Sequence, residues 1–426
     1  MKINLFWFRR DLRIEDNTAL SIALSKKEPV LALFIFDENI TDKLACDDAR
    51  ITFIYNQLRK INDHLKIHGS SLLVLKGSPK NIFNDLILQH QIANVFSNKD
   101  YEPYALSRDH NINELLKKNY IDFIQAKDSV VFEPHEILKD NGDPYTVYTP
   151  YKNKWLKKFS NKGFIFQKSN LNNFFKKDNE FYDIEVFGFK KSKINVVNYN
   201  LDILNEYSVS RDFPSHNRTS YLGIHLRFGT VSVREIINKL SDSDDVFLSE
   251  LIWREFFMQI LFHFPKVVDN NFKSKYDSVM WRNDKDDFDK WCRGETGYPI
   301  VDAGMRQLNT TGYMHNRVRM LVAGFLCKHL LIDWKWGERY FAEKLLDFEL
   351  ASNNGNWQWA AGTGCDSAPY FRIFNPMTQQ LKFDKSFTYI NQWIENFEAD
   401  NYIPYMIDHK MARERALFTY KKGLAN

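Results

Sequence analysis

The sequence is short of the features that mark disulfide-rich, metal-binding and membrane proteins. Its four cysteines, among 426 residues, include no CxxC pair, and its 11 histidines include no HExxH motif. These absences argue against a disulfide framework and against a zinc or iron–sulfur site. No apolar run approaches the roughly 20 residues that a membrane-spanning helix needs. We therefore expect a protein with neither a metal ion nor a membrane-spanning segment.

The signature motifs of two large enzyme classes are also missing. There is no GxSxG motif to expose the nucleophile of a serine hydrolase, and no complete GxGxxG follows the first apolar run.

A net charge of +4 does not by itself indicate a nucleic-acid partner, because affinity depends on how positive charge is clustered. The first apolar run, Ile3–Phe8, precedes Arg9 and Arg10, which is the reverse of a secretory signal. We therefore expect a cytoplasmic protein.

The sequence pattern of the first third of the chain is typical of an α/β fold. Short apolar runs alternate with helical patterns, and an apolar stripe from Ile51 to Leu65 predicts a helix between the second and third runs. This alternation predicts a Rossmann-like parallel sheet that is covered by helices on both faces. The predicted strands are Ile3–Phe8, Val30–Phe36, Ser71–Leu75, Ala93–Ser97 and Ile121–Gln125.

Helical patterns dominate the second half of the chain. Residues from about 161 to 193 lack a steady period, which predicts a connection laid over the surface. From Asn205 onward almost every apolar pattern is helical, so we predict an α/β domain over 1–130, a linker over 131–200 and an all-helical domain over 201–426. Eight of the ten tryptophans follow residue 250, more than packing alone requires.

Four stretches of this half concentrate polar, charged and aromatic side chains. Glu250–Phe257 puts a carboxylate beside an indole on one helix face, and Gly312–Met320 projects an amide, a guanidinium and a thioether together. Asp347–Trp359 is a poor helix former, which predicts a polar turn around a heteroaromatic cofactor. Gly362–Pro376 reads as a rigid loop with exposed aromatic residues. Taken singly, each stretch could be an ion pair, a helix cap or core filling.

Together with Trp7–Arg13, the four stretches closely resemble the photolyase/cryptochrome family over nearly the whole chain. They are most similar to the bacterial class I cyclobutane pyrimidine dimer (CPD) photolyases. The resemblance implies an α/β antenna-type domain, a linker and an all-α FAD-binding domain. It implies that FAD, reduced in the active form, is bound among Tyr207, Thr219, Ser220, Tyr221, Leu222, Glu250, Arg254, Asn316, Arg319, Asp347, Glu349 and Asn353.

The resemblance also implies light-driven DNA repair. An electron would pass from excited reduced FAD to a flipped-out pyrimidine dimer and return after the ring opens. Glu250 would be a buried acid beside Trp253 that hydrogen-bonds the pyrimidine edge, and Arg319 would pair with Asp347 beside the flavin. Asn353 matches the position that faces flavin N5.

Other roles follow by position from the same resemblance. Trp253 and Trp359 would stack on the dimer, while Asn316 and Met320 would complete its pocket. The loop Gly364–Phe374 would fill the gap left in the duplex. Electrons would reach oxidised FAD through Trp281, Trp334 and Trp357. DNA phosphates would be contacted by Arg211, Arg317 and Arg372. We expect damaged DNA as the partner, a monomer, and association with the nucleoid when DNA is bound.

Two alternatives stay open within the family: a cryptochrome-type blue-light sensor and a DASH-type single-strand photolyase. A six-four photolyase would have histidines in place of Asn316 and Met320. The chain departs from the family at Glu349, where Asp is usual, and at Tyr313, where Trp is common and where we expect only a change in packing. A second, antenna chromophore of folate or deazaflavin type stays unassigned, because the matching positions are Tyr104, Ala105, Val268 and Asp269.

Overall fold

The apolar runs predicted as strands form one parallel sheet in a computed structural model of the chain, which describes residues 1–160, 164 and 170–425. The strands are β1 (Ile3–Phe8), β2 (Val30–Asp37), β3 (Leu72–Gly77), β4 (Ile92–Asn98) and β5 (Asp122–Ala126). All five predictions are confirmed, and the order across the sheet is β3-β2-β1-β4-β5. The predicted Rossmann-like arrangement is therefore confirmed as well.

Helices bury both faces of this sheet. Alternate residues of β1 enter two separate apolar clusters, with Phe6 and Phe8 on one face and Leu5 and Trp7 on the other. β1 and β2 are buried along their whole length, as central strands of a parallel sheet should be. The covering helices are α1 (Thr18–Leu24), α2 (Glu38–Thr41), α3 (Ala49–Ile67), α4 (Pro79–Gln89) and α5 (Pro103–Lys118).

Two compact units account for the chain, and each is assembled from segments that are distant in sequence. The sheet unit comprises Met1–Glu136, Trp155–Asn198 and Leu222–Ser241. The helical unit comprises Ile137–Lys154, Tyr199–Tyr221 and Asp242–Asn426.

The irregular segment that was predicted to lie over the surface is partly buried. Residues 161–163 and 165–169 of it lie outside the described part of the chain. Beyond them, Phe174 bridges to Val30, and Ile184 and Phe187 are buried in the core of the sheet unit. The surface prediction is therefore wrong for these residues, because their apolar side chains extend the cluster on one face of the sheet.

A buried ion cluster lies just beyond the end of β5. The carboxylate of Asp128 accepts hydrogen bonds from Arg13 at 2.6 Å and from Arg234 at 2.8 Å. Burial favours the neutral form of Asp128, but the two guanidinium groups outweigh it and lower its pKa to about 2. Gly229 supports this packing with a φ of 61°, since a Cβ there would lie 2.2 Å from the carbonyl oxygen of Arg10.

The predicted helical character of the second half is confirmed. Its core joins Trp291, Val318, Trp334 and Trp357 in one apolar cluster. No helix in the described ranges is long and apolar enough to cross a membrane. The remaining helices are α6 (Tyr148–Phe159), α7 (Leu204–Ser210), α8 (Leu222–Arg227), α9 (Val233–Asn238), α10 (Asp245–His263), α11 (Lys285–Arg293), α12 (Pro299–Thr311), α13 (Asn316–Gly324), α14 (Trp334–Lys344), α15 (Leu350–Ala361), α16 (Pro376–Phe383), α17 (Thr388–Trp393) and α18 (His409–Ala425).

Because Asp128 lies between two buried arginines, we expect Asp128→Ala to destabilise the fold strongly. The free energy of unfolding should fall by about 3–5 kcal/mol, because two buried guanidinium groups would lose the carboxylate that they share. In the wild type this stabilisation is complete above the unfolded-state pKa of roughly 4, and it is lost as pH falls through about 2. Urea unfolding at pH 7 measures the change. The control Glu235→Ala, which removes an exposed pair with Lys239, should cost less than about 1 kcal/mol; an equal cost for both variants would contradict the prediction.

Candidate active site

A pocket of about 600 Å³, counted to its opening, lies in the helical unit among α13, α14 and α15. It gathers residues from the second and third stretches singled out in the sequence. Their side chains combine amides, carboxylates, one guanidinium and two indoles. The lining residues are Asn316, Arg319, Met320, Ala323, Phe341, Leu345, Asp347, Phe348, Glu349, Ser352, Asn353, Asn356, Trp357, Trp359 and Ala360.

Helix α15 carries six of the fifteen lining residues. The expectation of a poorly helical turn over this polar run is wrong, because Leu350–Ala361 is helical throughout. Tertiary contacts outweigh the weak helix propensity here. Gly355 packs so tightly on Phe257 that a Cβ would come within 2.1 Å of the ring. On the same side, Asn354 donates to the carbonyl of Val267 at 2.9 Å.

Helix α13 carries the opposite lining residues and starts from an unusual cap. The Nδ1 atom of His315 accepts a hydrogen bond from the backbone N–H of Arg317 at 3.2 Å. Burial, helped by the nearby charges of Arg319 and Arg317, lowers the pKa of His315 to about 4. A neutral imidazole can accept at Nδ1 whereas an imidazolium cannot, so the cap stays intact at neutral pH.

The predicted ion pair between Arg319 and Asp347 is present. The two guanidinium nitrogens donate to the two carboxylate oxygens at 3.2 and 2.9 Å, and Nε donates to the carbonyl of Met314 at 2.7 Å. A second pair joins Arg254 to Glu349 at 3.3 Å. Glu349, the residue that departs from the family's Asp, therefore keeps its charge compensated.

Asn353 lines the pocket with a fixed amide orientation. Its Nδ2 atom donates to the carboxylate of Glu338 at 2.8 Å and to the carbonyl of the same residue at 3.0 Å. Since the amide nitrogen is engaged, the amide oxygen is the atom that can accept a hydrogen bond from a ligand.

Glu250 is not the buried acid that was expected. Its side chain is 36% exposed and pairs with Arg211 at 2.7 Å, so an ionic partner replaces the predicted apolar surroundings. The indole of Trp253 instead stacks on Tyr148, with ring centroids 3.6 Å apart and planes within 7°. One face of Trp253 is thereby covered by a residue that carried no signal in the sequence.

The four predicted residues that precede α8 are not part of the pocket lining. Tyr207 packs edge-on against Phe247 at 5.0 Å. Thr219 accepts a hydrogen bond from the hydroxyl of Tyr313 at 3.0 Å, and the neighbouring Tyr221 contacts the ring of Tyr313. Leu222 is a buried residue of the sheet unit and begins α8. The expectation that Tyr313 changes packing only is therefore wrong.

The tryptophans predicted to carry electrons differ in exposure. Trp357 and Trp334 are buried, whereas Trp281 is half-buried and meets Tyr420 edge-on at 5.8 Å. The sequence analysis did not single out Trp291. This residue is fully buried, and its ring centroid lies 6.2 Å from that of Trp357. No motif set it apart from an ordinary core residue.

The predicted DNA-contacting arginines lie near acidic or aromatic partners. Arg317 pairs with Asp212 at 2.5 Å and covers the ring of Phe383 at 4.5 Å. Arg372 is exposed beside Phe374, in the loop that follows α15. In the part of the chain that the structure describes, no group of three or more His, Cys, Asp or Glu side chains is arranged to hold a metal ion.

Comparison with known proteins gives the same assignment for both halves of the chain. The family described as DNA photolyase matches residues 4–169, and the FAD binding domain of DNA photolyase matches residues 247–399. The deoxyribodipyrimidine photo-lyase of Alkalihalophilus pseudofirmus is 36% identical over 93% of this chain and 88% of its own. The photo-lyase of Halobacterium salinarum is 34% identical over 99% of both chains.

Solved structures agree along the full length. A bacterial class III photolyase from Agrobacterium tumefaciens superposes with a TM-score of 0.88 at 31% identity, covering 100% of this chain and 98% of its own. An archaeal photolyase from Sulfolobus tokodaii with two FAD molecules reaches 0.87 at 33% identity, over 99% and 100%. The family models, the curated relatives and the solved structures therefore give the same assignment for the sheet unit and for the helical unit. The chain belongs to the DNA photolyase family of enzymes.

Proposed function

We propose that the chain repairs cyclobutane pyrimidine dimers in DNA under blue light, with FAD held in the pocket of the helical unit. The observation that carries the proposal is that Asn316, Met320 and Trp359 line the same cavity as the pair of Arg319 with Asp347. Side chains that can contact a flat lesion and side chains that can contact a charged ring system thus line the same cavity. Bound and reduced, FAD would supply the electron that opens the cyclobutane ring and would take it back afterwards.

The lining fits FAD in chemistry, because it combines a paired guanidinium, amides and aromatic rings. The guanidinium of Arg319, fixed by Asp347, can stabilise negative charge on a reduced ring system. The amide oxygen of Asn353 can accept from the N5–H that reduced flavin carries and oxidised flavin lacks.

The lesion would be held by flat and weakly polar side chains. Trp359 and Met320 offer apolar surface, and the amide of Asn316 can hydrogen-bond a pyrimidine carbonyl. Trp253 can contribute only the ring face that Tyr148 leaves uncovered. Flipping a base costs a few kcal/mol, and less for a damaged one, so weak pairing in the lesion assists its capture.

Glu250 would act in this site together with Arg211. One carboxylate oxygen of Glu250 accepts from the guanidinium at 2.7 Å, which orients the group. The other oxygen can accept a hydrogen bond from the N3–H of a pyrimidine. A carboxylate thereby takes the role that the resemblance gives to a buried acid.

The loop after α15 would meet the DNA around the lesion. Phe371 is 60% exposed and precedes the exposed Arg372, so an apolar wedge stands beside a phosphate-binding group. On α13, Arg317 points its charge toward Asp212 and would exchange part of that pairing for a phosphate.

A second, antenna chromophore stays a prediction with no assigned site, and the sheet unit has one of the crevices in which it could bind. Ligands of open parallel sheets bind beyond the strand carboxyl ends, where the strand order reverses, which is between β1 and β4 here. That crevice is crossed by ion pairs of Arg9 with Asp109 and of Arg10 with Asp100. An antenna would have to bind beside these pairs.

The proposal is tested by the absorption spectrum of the purified chain, followed by illumination with dimer-bearing duplex and single-stranded DNA. We expect a flavin spectrum and loss of dimers in blue light but not in the dark. A flavin-loaded chain that leaves dimers intact would exclude repair and favour a light sensor. Repair of single strands alone would favour a DASH-type enzyme.

Glu250→Ala separates a role in repair from a role in folding. It should lower repair by pre-reduced protein at least tenfold, because the lesion loses a hydrogen-bond partner and Arg211 loses its counter-ion. A hydrogen bond to a charged group is worth about 1.5–3 kcal/mol. FAD content should change far less. Repair per bound flavin measures the effect, with Glu295→Ala, which removes an exposed pair with Arg293, as the control. Equal loss of flavin and repair would show a structural role instead.

Trp357→Phe tests the proposed electron route to oxidised FAD. Phenylalanine is much harder to oxidise than tryptophan, so light-driven reduction of the bound flavin should slow at least tenfold. Repair by chemically reduced protein should fall much less. Flavin absorbance under illumination measures the first effect, with Trp336→Phe on the same helix as Trp334 as the control. Equal slowing in both variants would contradict a route through Trp357.

A further inference from the structure

Tyr313 joins the loop 217–221, whose Thr219, Ser220 and Tyr221 the family resemblance assigns to FAD, to the Arg319–Asp347 pair that lines the pocket. Its hydroxyl donates to Oγ1 of Thr219 at 3.0 Å, and its ring contacts that of Tyr221 at 4.8 Å between centroids. The guanidinium of Arg319 lies 5.5 Å from the centre of the same ring. One side chain therefore touches the loop 217–221 and also the Arg319–Asp347 pair that borders the pocket.

The loop 217–221 needs such support. Asn217 and Tyr221 have φ values of 48° and 51°, in the left-handed region that residues other than glycine rarely adopt. Strain of this kind persists only where surrounding contacts over-determine the backbone. The hydroxyl of Tyr221 donates to Oδ1 of Asn217 at 2.5 Å, and Ser220 accepts from the backbone N–H of Asn200 at 2.9 Å. Tyr313 adds the contact that ties this loop to α13.

The hydroxyl of Tyr313 is suited to donate permanently. Burial raises the pKa of Tyr313 to about 12, so the group keeps its proton throughout the range in which the protein works. Arg319 is itself fixed by Asp347 and by the carbonyl of Met314, which gives the tyrosine ring a rigid neighbour.

We propose that Tyr313 is a positioning residue for the cofactor: through its hydrogen bond to Thr219 it sets the loop 217–221 against the Arg319–Asp347 pair, so that both grip one FAD molecule. The inference rests on the proposed function, which places FAD beside Arg319 and Asp347, and on the family resemblance, which assigns the loop 217–221 to the same FAD molecule. It assigns a task to the hydroxyl, which the tryptophan common in the family lacks.

The test is a double-mutant cycle on FAD affinity, with Tyr313→Phe, Thr219→Val and both changes together. The dissociation constant is measured from flavin fluorescence on dilution of the holoprotein. Loss of one neutral hydrogen bond, worth about 0.5–1.5 kcal/mol, should weaken binding roughly 2- to 13-fold in Tyr313→Phe. The double variant should bind no more weakly than Thr219→Val alone, and Thr219→Ser, which keeps the acceptor, should bind like the wild type.

Tyr340→Phe is the matched control. Tyr340→Phe also removes hydroxyl contacts, to Asn309 at 2.6 Å and to the carbonyl of Cys292 at 3.2 Å, but neither partner is a residue assigned to FAD. Its FAD affinity should stay unchanged. A merely structural role of Tyr313 would lower the melting temperature of both Phe variants alike without a coupled effect on FAD.

The outcomes separate this inference from the proposed function. Additive effects of Tyr313→Phe and Thr219→Val, or wild-type affinity in Tyr313→Phe, overturn the positioning role even if dimers are repaired. Coupled effects in a chain that repairs no dimers support the positioning role and overturn the repair function. A wild-type chain that takes up no FAD overturns both.

Discussion

The pocket depends on how closely α15 approaches its two neighbours. At Gly355 a Cβ would lie 2.1 Å from the ring of Phe257 on α10, and at Gly337 on α14 a Cβ would lie 2.1 Å from the indole of Trp357. Any larger side chain would push α15 away on one side. The two glycines therefore set the distance at which Asn353 and its neighbours face the cavity, and the other features of the site follow from that spacing.

Charged side chains around the pocket and at Glu250 are arranged in pairs within the protein itself. Removing such pairs from water is costly, so they add little to stability, but they hold guanidinium and carboxylate groups in fixed orientations. A preorganised charge needs no rearrangement when a ligand becomes reduced or negatively charged. The pairs are Arg319 with Asp347, Arg254 with Glu349, and Arg211 with Glu250.

Periodicity was sufficient for the sheet and for the helical half, because the central strands β1 and β2 are buried on both faces and the helices bury apolar stripes. It failed at Leu350–Ala361, where local propensity is weak and packing on α10 and α14 decides the structure. Composition and spacing singled out the two stretches that supply most of the pocket lining, but the roles of their residues came from the family resemblance. The surroundings of Glu250 could not be predicted, because its partner lies 39 residues away and neither residue signals the other.

The stack of Tyr148 on Trp253 has a consequence for how the chain folds as it is made. The backbone N–H of Tyr148 donates to Asp366, 218 residues later, and its hydroxyl donates to the carbonyl of Ser249, 101 residues later. The first turn of α6 therefore cannot make these hydrogen bonds until most of the chain has emerged from the ribosome. Contacts of such long range form slowly, since a large loop must close before they can be made. The packing of Tyr148 on Trp253 should thus be completed late in synthesis.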